Sequence, residues 1–117
     1  MPISRLAECV AQSQRDLKES RLVAPVVGHV GDGNFHMLLL IDHNDADEIA
    51  RAKAFLERLT DRALAMDGTC TGEHGIGQGK MQYMPAEHGE PTLDVMRAIK
   101  RALDPLDIMN PGKIFGM

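Results

Sequence analysis

Two apolar, β-rich stretches separated by a tight turn decide how this chain folds. Residues 22–30 read LVAPVVGHV, residues 31–34 read GDGN, and residues 35–41 read FHMLLLI. Glycine, aspartate and asparagine are turn formers, so the pattern predicts two antiparallel strands joined by a short hairpin loop. Both strands are apolar on both faces, which indicates that the hairpin belongs to a larger buried layer.

The hairpin predicts that two histidines lie side by side. If residues 31–34 form the loop, Val30 faces Phe35 and His29 lies directly opposite His36. Cross-strand neighbours have Cβ atoms roughly 4.5–5.5 Å apart, so two imidazoles in these positions can share one divalent ion. The alternative is two separate core histidines that bond to the backbone. The loop length matters, because a one-residue slip would send the rings to opposite faces.

A glycine-rich segment supplies further candidate groups. Residues 71–80 read TGEHGIGQGK, and their glycines allow the backbone to approach a ligand closely. Glu73 is a candidate third ligand, and His74 beside it is a candidate base. The alternatives are a carboxylate that caps loop amides and a histidine at the solvent boundary. A phosphate loop is excluded, because Met81 follows Lys80 where Ser or Thr is required.

Helical periodicity surrounds these segments. It predicts a first helix over residues 4–19, a second from a cap at Asn44 or Asp45 to a stop at Gly68, and a last one over residues 92–103. Between the last two we expect a short strand at residues 69–71. The sequence therefore predicts an α+β fold, in which helices pack on an incomplete antiparallel sheet.

Composition excludes several function classes. The 117 residues allow one modest core, and 13 basic against 17 acidic residues form no basic patch that would bind nucleic acid. Cys9 and Cys70 are far apart, which argues against a disulfide and favours a reducing compartment. We therefore expect a cytoplasmic protein, or one at a membrane surface as part of a larger enzyme. The sequence has no apolar run of the roughly 18 residues that a transmembrane segment needs.

Three stretches together resemble the C-terminal domain of FAD-linked oxidases. They are residues 28–36, residues 71–80 and residues 104–115, which read DPLDIMNPGKIF. This family includes D-lactate dehydrogenases, the glycolate oxidase D subunit and D-2-hydroxyglutarate dehydrogenase. The resemblance implies the C-terminal part of a flavin-dependent D-2-hydroxyacid dehydrogenase, with a cap and substrate part over residues 1–103 and a flavin-facing arm over residues 104–117.

The resemblance also implies roles for the candidate residues. A divalent ion, with zinc favoured, would be held by His29, His36 and Glu73 and would bind the hydroxyl and carboxylate of a small 2-hydroxy acid. His74 would take the hydroxyl proton while hydride passes to the flavin.

Two asparagines complete the implied site: Asn34 would lie at the substrate, and Asn110 would contact FAD. The cofactor would be bound mainly by an N-terminal FAD-binding domain that this sequence lacks, supplied in cis or in trans. The isolated chain is then half of an active site.

Two other interpretations remain open. One is a free-standing module that binds a divalent metal without redox activity, and the other is a small metal-dependent hydrolase that uses Glu73 and His74. If the chain is a fragment, its strands have lost their partners, so we expect an open sheet edge and self-association of the isolated chain.

Overall fold

The computed structural model describes residues 1–116 and divides the chain into two compact units, Met1–Thr69 and Cys70–Met117. The first unit contains two helices, α1 (Ile3–Glu19) and α2 (Ala46–Ala65), and two short strands, β1 (Val26–Val27) and β2 (His36–Met37). The second contains α3 (Met84–His88) and α4 (Glu90–Leu103). The α+β class with an incomplete antiparallel sheet is thereby confirmed.

Helix α1 matches the predicted bounds to within one residue. It begins at Ile3, with Pro2 in the N-cap position, and it buries Leu6, Cys9 and Ser13. The Ser13 hydroxyl donates to the Cys9 carbonyl at 2.7 Å, so this buried polar group is satisfied within the helix.

Helix α2 has the predicted start and a different end. The Asp45 carboxylate caps it by accepting from the backbone N–H groups of Asp47 and Glu48 at 2.9 and 3.1 Å. At the other end Asp67, and not Gly68, takes the left-handed conformation with φ 57°. Gly68 follows and donates its N–H to the Ala63 carbonyl at 2.8 Å, which closes a Schellman turn.

The hairpin forms, but its predicted register is wrong by two residues. Val27 pairs with His36 and Val26 with Met37, where the sequence had suggested His29 opposite His36. The cause is a 3₁₀ turn over Val30–Asp32, which takes up more chain between the strands than a four-residue loop. A shift of two residues keeps each side chain on its predicted face, because the side-chain period of a strand is two.

The two faces of the hairpin have different surroundings. The inner face packs on α2 around a core of Leu22, Ala52 and Phe55, together with partly buried Met37, Leu39 and Ile41. The outer face is apolar and exposed, and its large side chains are Val23, Val27, Leu38 and Leu40. The expectation that both faces are apolar is confirmed, and helices cover one of them.

An ion-pair network joins α1 to α2. The Asp16 carboxylate accepts from the Arg58 guanidinium at 2.7 to 3.1 Å and from Arg62 at 3.1 Å, and its side chain is 12% exposed. Arg62 also donates to the buried Ser13 hydroxyl at 2.9 Å. The hydrogen bonds from Arg58 lead the effects that hold the pKa of Asp16 below its usual value.

The second unit departs further from the prediction. The strand expected at residues 69–71 is wrong, since these residues have irregular backbone. A short helix that the sequence analysis missed, α3, precedes α4 and packs against it. Helix α4 begins at Glu90, two residues before the predicted start, and ends at Leu103 as predicted. Residues 104–116 are irregular, as expected of the arm.

Replacement of Asp16 by Asn should destabilise the first unit by about 1.5–3 kcal/mol, the range for charge-assisted hydrogen bonds. The matched control is Asp47→Asn, which removes an 81%-exposed partner of Arg51 and should cost at most about 0.5 kcal/mol. Urea unfolding of both variants at neutral pH measures the difference. Because folding lowers the pKa of Asp16 below 3.8, its contribution is present above that pH and disappears as the pH falls through the lowered value. A gap between wild type and Asp16→Asn that is unchanged at pH 2 would contradict this assignment.

Candidate metal and substrate site

The two histidines of the first unit lie together despite the shifted register. Their ring centroids are 6.3 Å apart and their planes are almost perpendicular, at 87°. His36 is half-buried in β2, and His29 is exposed at the start of the 3₁₀ turn. The predicted proximity of the pair is therefore present, although the two residues are not cross-strand partners.

Backbone hydrogen bonds hold His29 in place. Its carbonyl accepts from the N–H groups of Asp32 at 2.9 Å and Asn34 at 3.3 Å, so the turn closes back on this one residue. Gly33 makes the closure possible with a left-handed φ of 69°. The ring of His29 thus projects from a backbone that the turn itself has ordered.

Gly28 permits the close approach of the two arms of the hairpin. A Cβ atom built at this position would lie 2.5 Å from the Asn34 carbonyl oxygen and 2.6 Å from the Phe35 Cα. Such distances exclude any side chain unless the backbone shifts. A glycine immediately before His29 is therefore a steric requirement of this turn.

The geometry of the pair suits a shared divalent ion. Two imidazoles bound to one tetrahedral zinc ion through bonds of about 2.0–2.1 Å would have ring centroids roughly 5 Å apart. The observed separation of 6.3 Å exceeds this by about 1 Å, which a small rotation of the exposed His29 side chain can close. The donor chemistry and the spacing of these two residues fit such an ion.

Asn34 lies between the two histidines in sequence and is half-buried in the turn. Its backbone N–H donates a hydrogen bond to the His29 carbonyl. The residue therefore has a fixed backbone position next to the histidine pair.

Glu73 and His74 lie in the second unit, in the irregular glycine-rich segment. The Glu73 carboxylate and the His74 Nε2 are 3.7 Å apart, and the two side chains are 43% and 76% exposed. Gly75 and Gly77 follow with left-handed φ values of 77° and 53°, so the segment cannot be regular helix. Both side chains are accessible to a ligand.

Two residues outside this pair hold the segment at Cys70, and the sequence analysis assigned this role to neither of them. The Glu87 carboxylate accepts from the Cys70 N–H at 3.0 Å, and the Lys80 ammonium donates to the Cys70 carbonyl. Burial, supported by the nearby Glu87, raises the pKa of the Cys70 thiol to about 11. Lys80 is half-buried, and its ammonium is bound to the backbone.

The arm is ordered by a buried carboxylate. Asp104, 5% exposed, accepts from the Lys100 ammonium and from the backbone N–H groups of Ile108 at 3.1 Å and Met109 at 2.9 Å. Lys100, followed by the Met109 N–H, keeps the pKa of Asp104 below its usual value. Lys100 also lies 3.3 Å from Asp107. The irregular segment therefore has a defined conformation.

Asn110 sits in the turn that this arrangement creates, with a left-handed φ of 49°. It lines a shallow cavity of about 100 Å³ together with Lys100, Met109 and Phe115. The arm is also tied to the glycine-rich segment, since the Ile114 N–H donates to the Gly77 carbonyl at 2.7 Å. Asn110 therefore lies in the wall of a shallow surface cavity.

Comparison with known proteins decides the family. The model of the C-terminal domain of FAD-linked oxidases matches residues 1–114. The chain belongs to this family.

The sequence relatives of this FAD-linked oxidase domain include D-lactate dehydrogenases and a glycolate oxidase subunit. A probable mitochondrial D-lactate dehydrogenase of Danio rerio is 52% identical over 97% of the chain, and a mitochondrial D-lactate dehydrogenase [cytochrome] of Arabidopsis thaliana is 46% identical over 97%. The glycolate oxidase subunit GlcD of Bacillus subtilis is 40% identical over 75%. The chain spans 23%, 20% and 19% of the lengths of these three proteins. The resemblance to the C-terminal domain of FAD-linked oxidases is confirmed.

The expected cytoplasmic location is wrong on this comparison, because the D-lactate dehydrogenases of Danio rerio and Arabidopsis thaliana are named as mitochondrial proteins. Two cysteines without a disulfide indicate a reducing environment but do not identify the compartment. Short targeting segments direct a protein to its compartment. Within residues 1–116, none of the helices is long and apolar enough to cross a membrane.

Substitution of Gly28 by Ala should disturb the histidine pair, because the new methyl group would overlap the backbone of residues 34 and 35. We expect a loss of about 1–3 kcal/mol in the free energy of unfolding and large shifts of the ring signals of His29 and His36 in NMR spectra. Gly31→Ala is the matched control, since a Cβ at that position meets nothing within 4 Å. Equal effects of the two substitutions would disprove the steric argument.

Proposed function

We propose that this chain is the substrate- and metal-binding C-terminal part of a flavin-dependent D-2-hydroxyacid dehydrogenase of the D-lactate or glycolate type. Its membership of the FAD-linked oxidase family supports this, as do relatives named D-lactate dehydrogenase and glycolate oxidase. The observation that carries the proposal is the pair of histidines, His29 and His36, whose ring centroids are 6.3 Å apart at an ordered turn.

The proposed metal ligands are His29, His36 and Glu73. Two imidazoles and one carboxylate are a donor set that binds zinc and similar divalent ions and leaves coordination positions open for a substrate. A bound ion would polarise the substrate hydroxyl as a Lewis acid, and FAD would accept the hydride.

The proposed base is His74. Oxidation of a 2-hydroxy acid to a 2-oxo acid removes a hydride from the α-carbon and a proton from the hydroxyl. An imidazole is suited to take that proton near neutral pH. His74 adjoins the proposed ligand Glu73, and its large exposed fraction of 76% leaves its ring accessible to a substrate.

The proposed role of Asn34 is to orient the substrate. A side-chain amide offers two donors and one acceptor to a hydroxyl or carboxylate. The backbone of Asn34 is fixed by its bond to the His29 carbonyl, so its amide would be presented at a constant position relative to this histidine.

FAD would be bound mainly by a domain outside this chain. We place Asn110 at the flavin, because it lines the cavity formed by the ordered part of the arm. In this proposal residues 1–103 form the cap and substrate part, and residues 104–117 form the flavin-facing arm.

The remainder of the flavoprotein is the proposed partner of the exposed sheet face. Val23, Val27, Leu38 and Leu40 are each more than half exposed on that face. Contiguous apolar surface of this kind is normally covered by a partner. The isolated chain should therefore self-associate, and by analogy with its relatives the whole protein would reside in mitochondria.

Isothermal titration of the chain with zinc tests the proposed ligands. We expect one ion per chain, and at least about tenfold weaker binding after His29→Ala, His36→Ala or Glu73→Gln, because each change removes a ligand. His43→Ala is the matched control, since His43 is an exposed residue of the same unit. If His43→Ala weakens binding as much as His29→Ala does, zinc binds histidines unspecifically and the site is incorrect.

Rapid mixing of the whole flavoprotein with D-lactate or glycolate tests the proposed base. His74→Gln should slow flavin reduction by about 10²–10⁴-fold while it leaves zinc affinity unchanged, because a glutamine accepts no proton. In the His43→Gln variant, the substrate should reduce the flavin at the wild-type rate. Normal flavin reduction in the His74→Gln variant would exclude this histidine as the base, and zinc binding without oxidation of either acid would favour a metal-binding module.

A further inference from the structure

Cys70 occupies an unusual position at the beginning of the glycine-rich segment, because its peptide groups are bound from both sides by ionised side chains. Its N–H donates to the Glu87 carboxylate at 3.0 Å, and its carbonyl accepts from the Lys80 ammonium. Cys70 itself is 5% exposed, and the Glu87 side chain is 12% exposed. Charge-assisted bonds of this kind are about twice as strong as neutral ones, and burial shields them from water.

Both ionised side chains are anchored in ordered structure. Glu87 lies in α3 (Met84–His88), which packs against α4. Lys80 immediately precedes the 3₁₀ turn Met81–Tyr83, and its carbonyl accepts from the Tyr83 N–H at 3.0 Å. The two side chains therefore connect the start of the segment to the helical part of the second unit.

The bond between Lys80 and Cys70 also closes the segment into a loop. The enclosed residues, 71–79, include four glycines, which would give an open chain large conformational freedom. A closed loop samples fewer conformations than an open one. Glu73 lies three residues beyond Cys70, so its Cα can lie at most about 10–11 Å from a fixed Cys70 Cα.

We propose that Lys80 and Glu87 are positioning residues that hold the peptide of Cys70 and thereby order Glu73 and His74 for the chemistry of the site. This inference rests on the proposed function for the roles of Glu73 and His74. It assigns Lys80 to the loop backbone and not to a substrate carboxylate.

Amide hydrogen exchange of the zinc-free chain tests the clamp directly. Lys80→Met and Glu87→Ala should each raise exchange at residues 70–76 by at least about tenfold, while exchange within α4 stays unchanged because the helical part remains folded. Lys80→Arg should restore slow exchange, since a guanidinium can still donate to the Cys70 carbonyl. Lys53→Met and Glu90→Gln, at exposed positions, are the matched controls.

Zinc titration of the same variants tests whether the clamp serves the site. Lys80→Met and Glu87→Ala should weaken zinc binding by about 10–100-fold, the usual effect of residues that orient a ligand. Unchanged exchange at residues 70–76, or equally faster exchange in α4, would overturn the clamp. So would wild-type zinc affinity in a variant whose loop exchanges faster. If wild-type zinc binding does not depend on Glu73, the proposed metal site fails, and the exchange data alone decide whether the clamp orders Glu73 and His74.

Discussion

The close packing of Gly28 against the turn that follows it is the constraint on which the histidine pair depends. With a Cβ at this position only 2.5 Å from the Asn34 carbonyl oxygen, the hairpin could not close as it does. Closure brings two N–H groups onto the His29 carbonyl and so fixes the backbone from which that ring projects. The two imidazoles are thus brought together by backbone packing, which lowers the entropic cost of sharing a ligand.

The sequence contained enough information to predict this pair, but not its register. Turn-forming residues between two apolar, β-rich stretches define a hairpin, and the prediction that the histidines lie close together follows from that pattern alone. The 3₁₀ turn at Val30–Asp32 depends on contacts within the folded hairpin, so a count of loop residues could not reveal it. The register error of two residues still leaves both histidines on one face of the sheet, because an even shift preserves the face on which a side chain lies. An error of one residue would have put the rings on opposite faces.

Other errors arose where tertiary contacts override local preference. A left-handed Asp67 ends α2 because the following Gly68 must approach the Ala63 carbonyl, and a rule that places glycine in the left-handed position misassigns the two. Helix α3 is only five residues long, too short to be stable without packing, so its periodicity carried no signal. The role of Glu87 was equally invisible, since its backbone partner is 17 residues away in sequence. The family resemblance suggested roles for the candidate residues and contained nothing about what holds them in place.

The two irregular segments of the second unit, the glycine-rich residues 71–80 and the arm at residues 104–116, are ordered in the same way. The glycine-rich segment contains four glycines and the arm contains two prolines, and neither is ordered by helix or sheet hydrogen bonds. Apolar contacts are non-directional and would leave the peptide groups of such segments poorly oriented. Carboxylates that accept from backbone N–H groups supply the missing direction, through Glu87 at Cys70 and through Asp104 at Ile108 and Met109. In each segment a lysine also donates to a backbone carbonyl, Lys80 to Cys70 and Lys100 to Met109, so each segment is held at a donor and at an acceptor. Both segments therefore take their order from charged side chains at or beyond their ends.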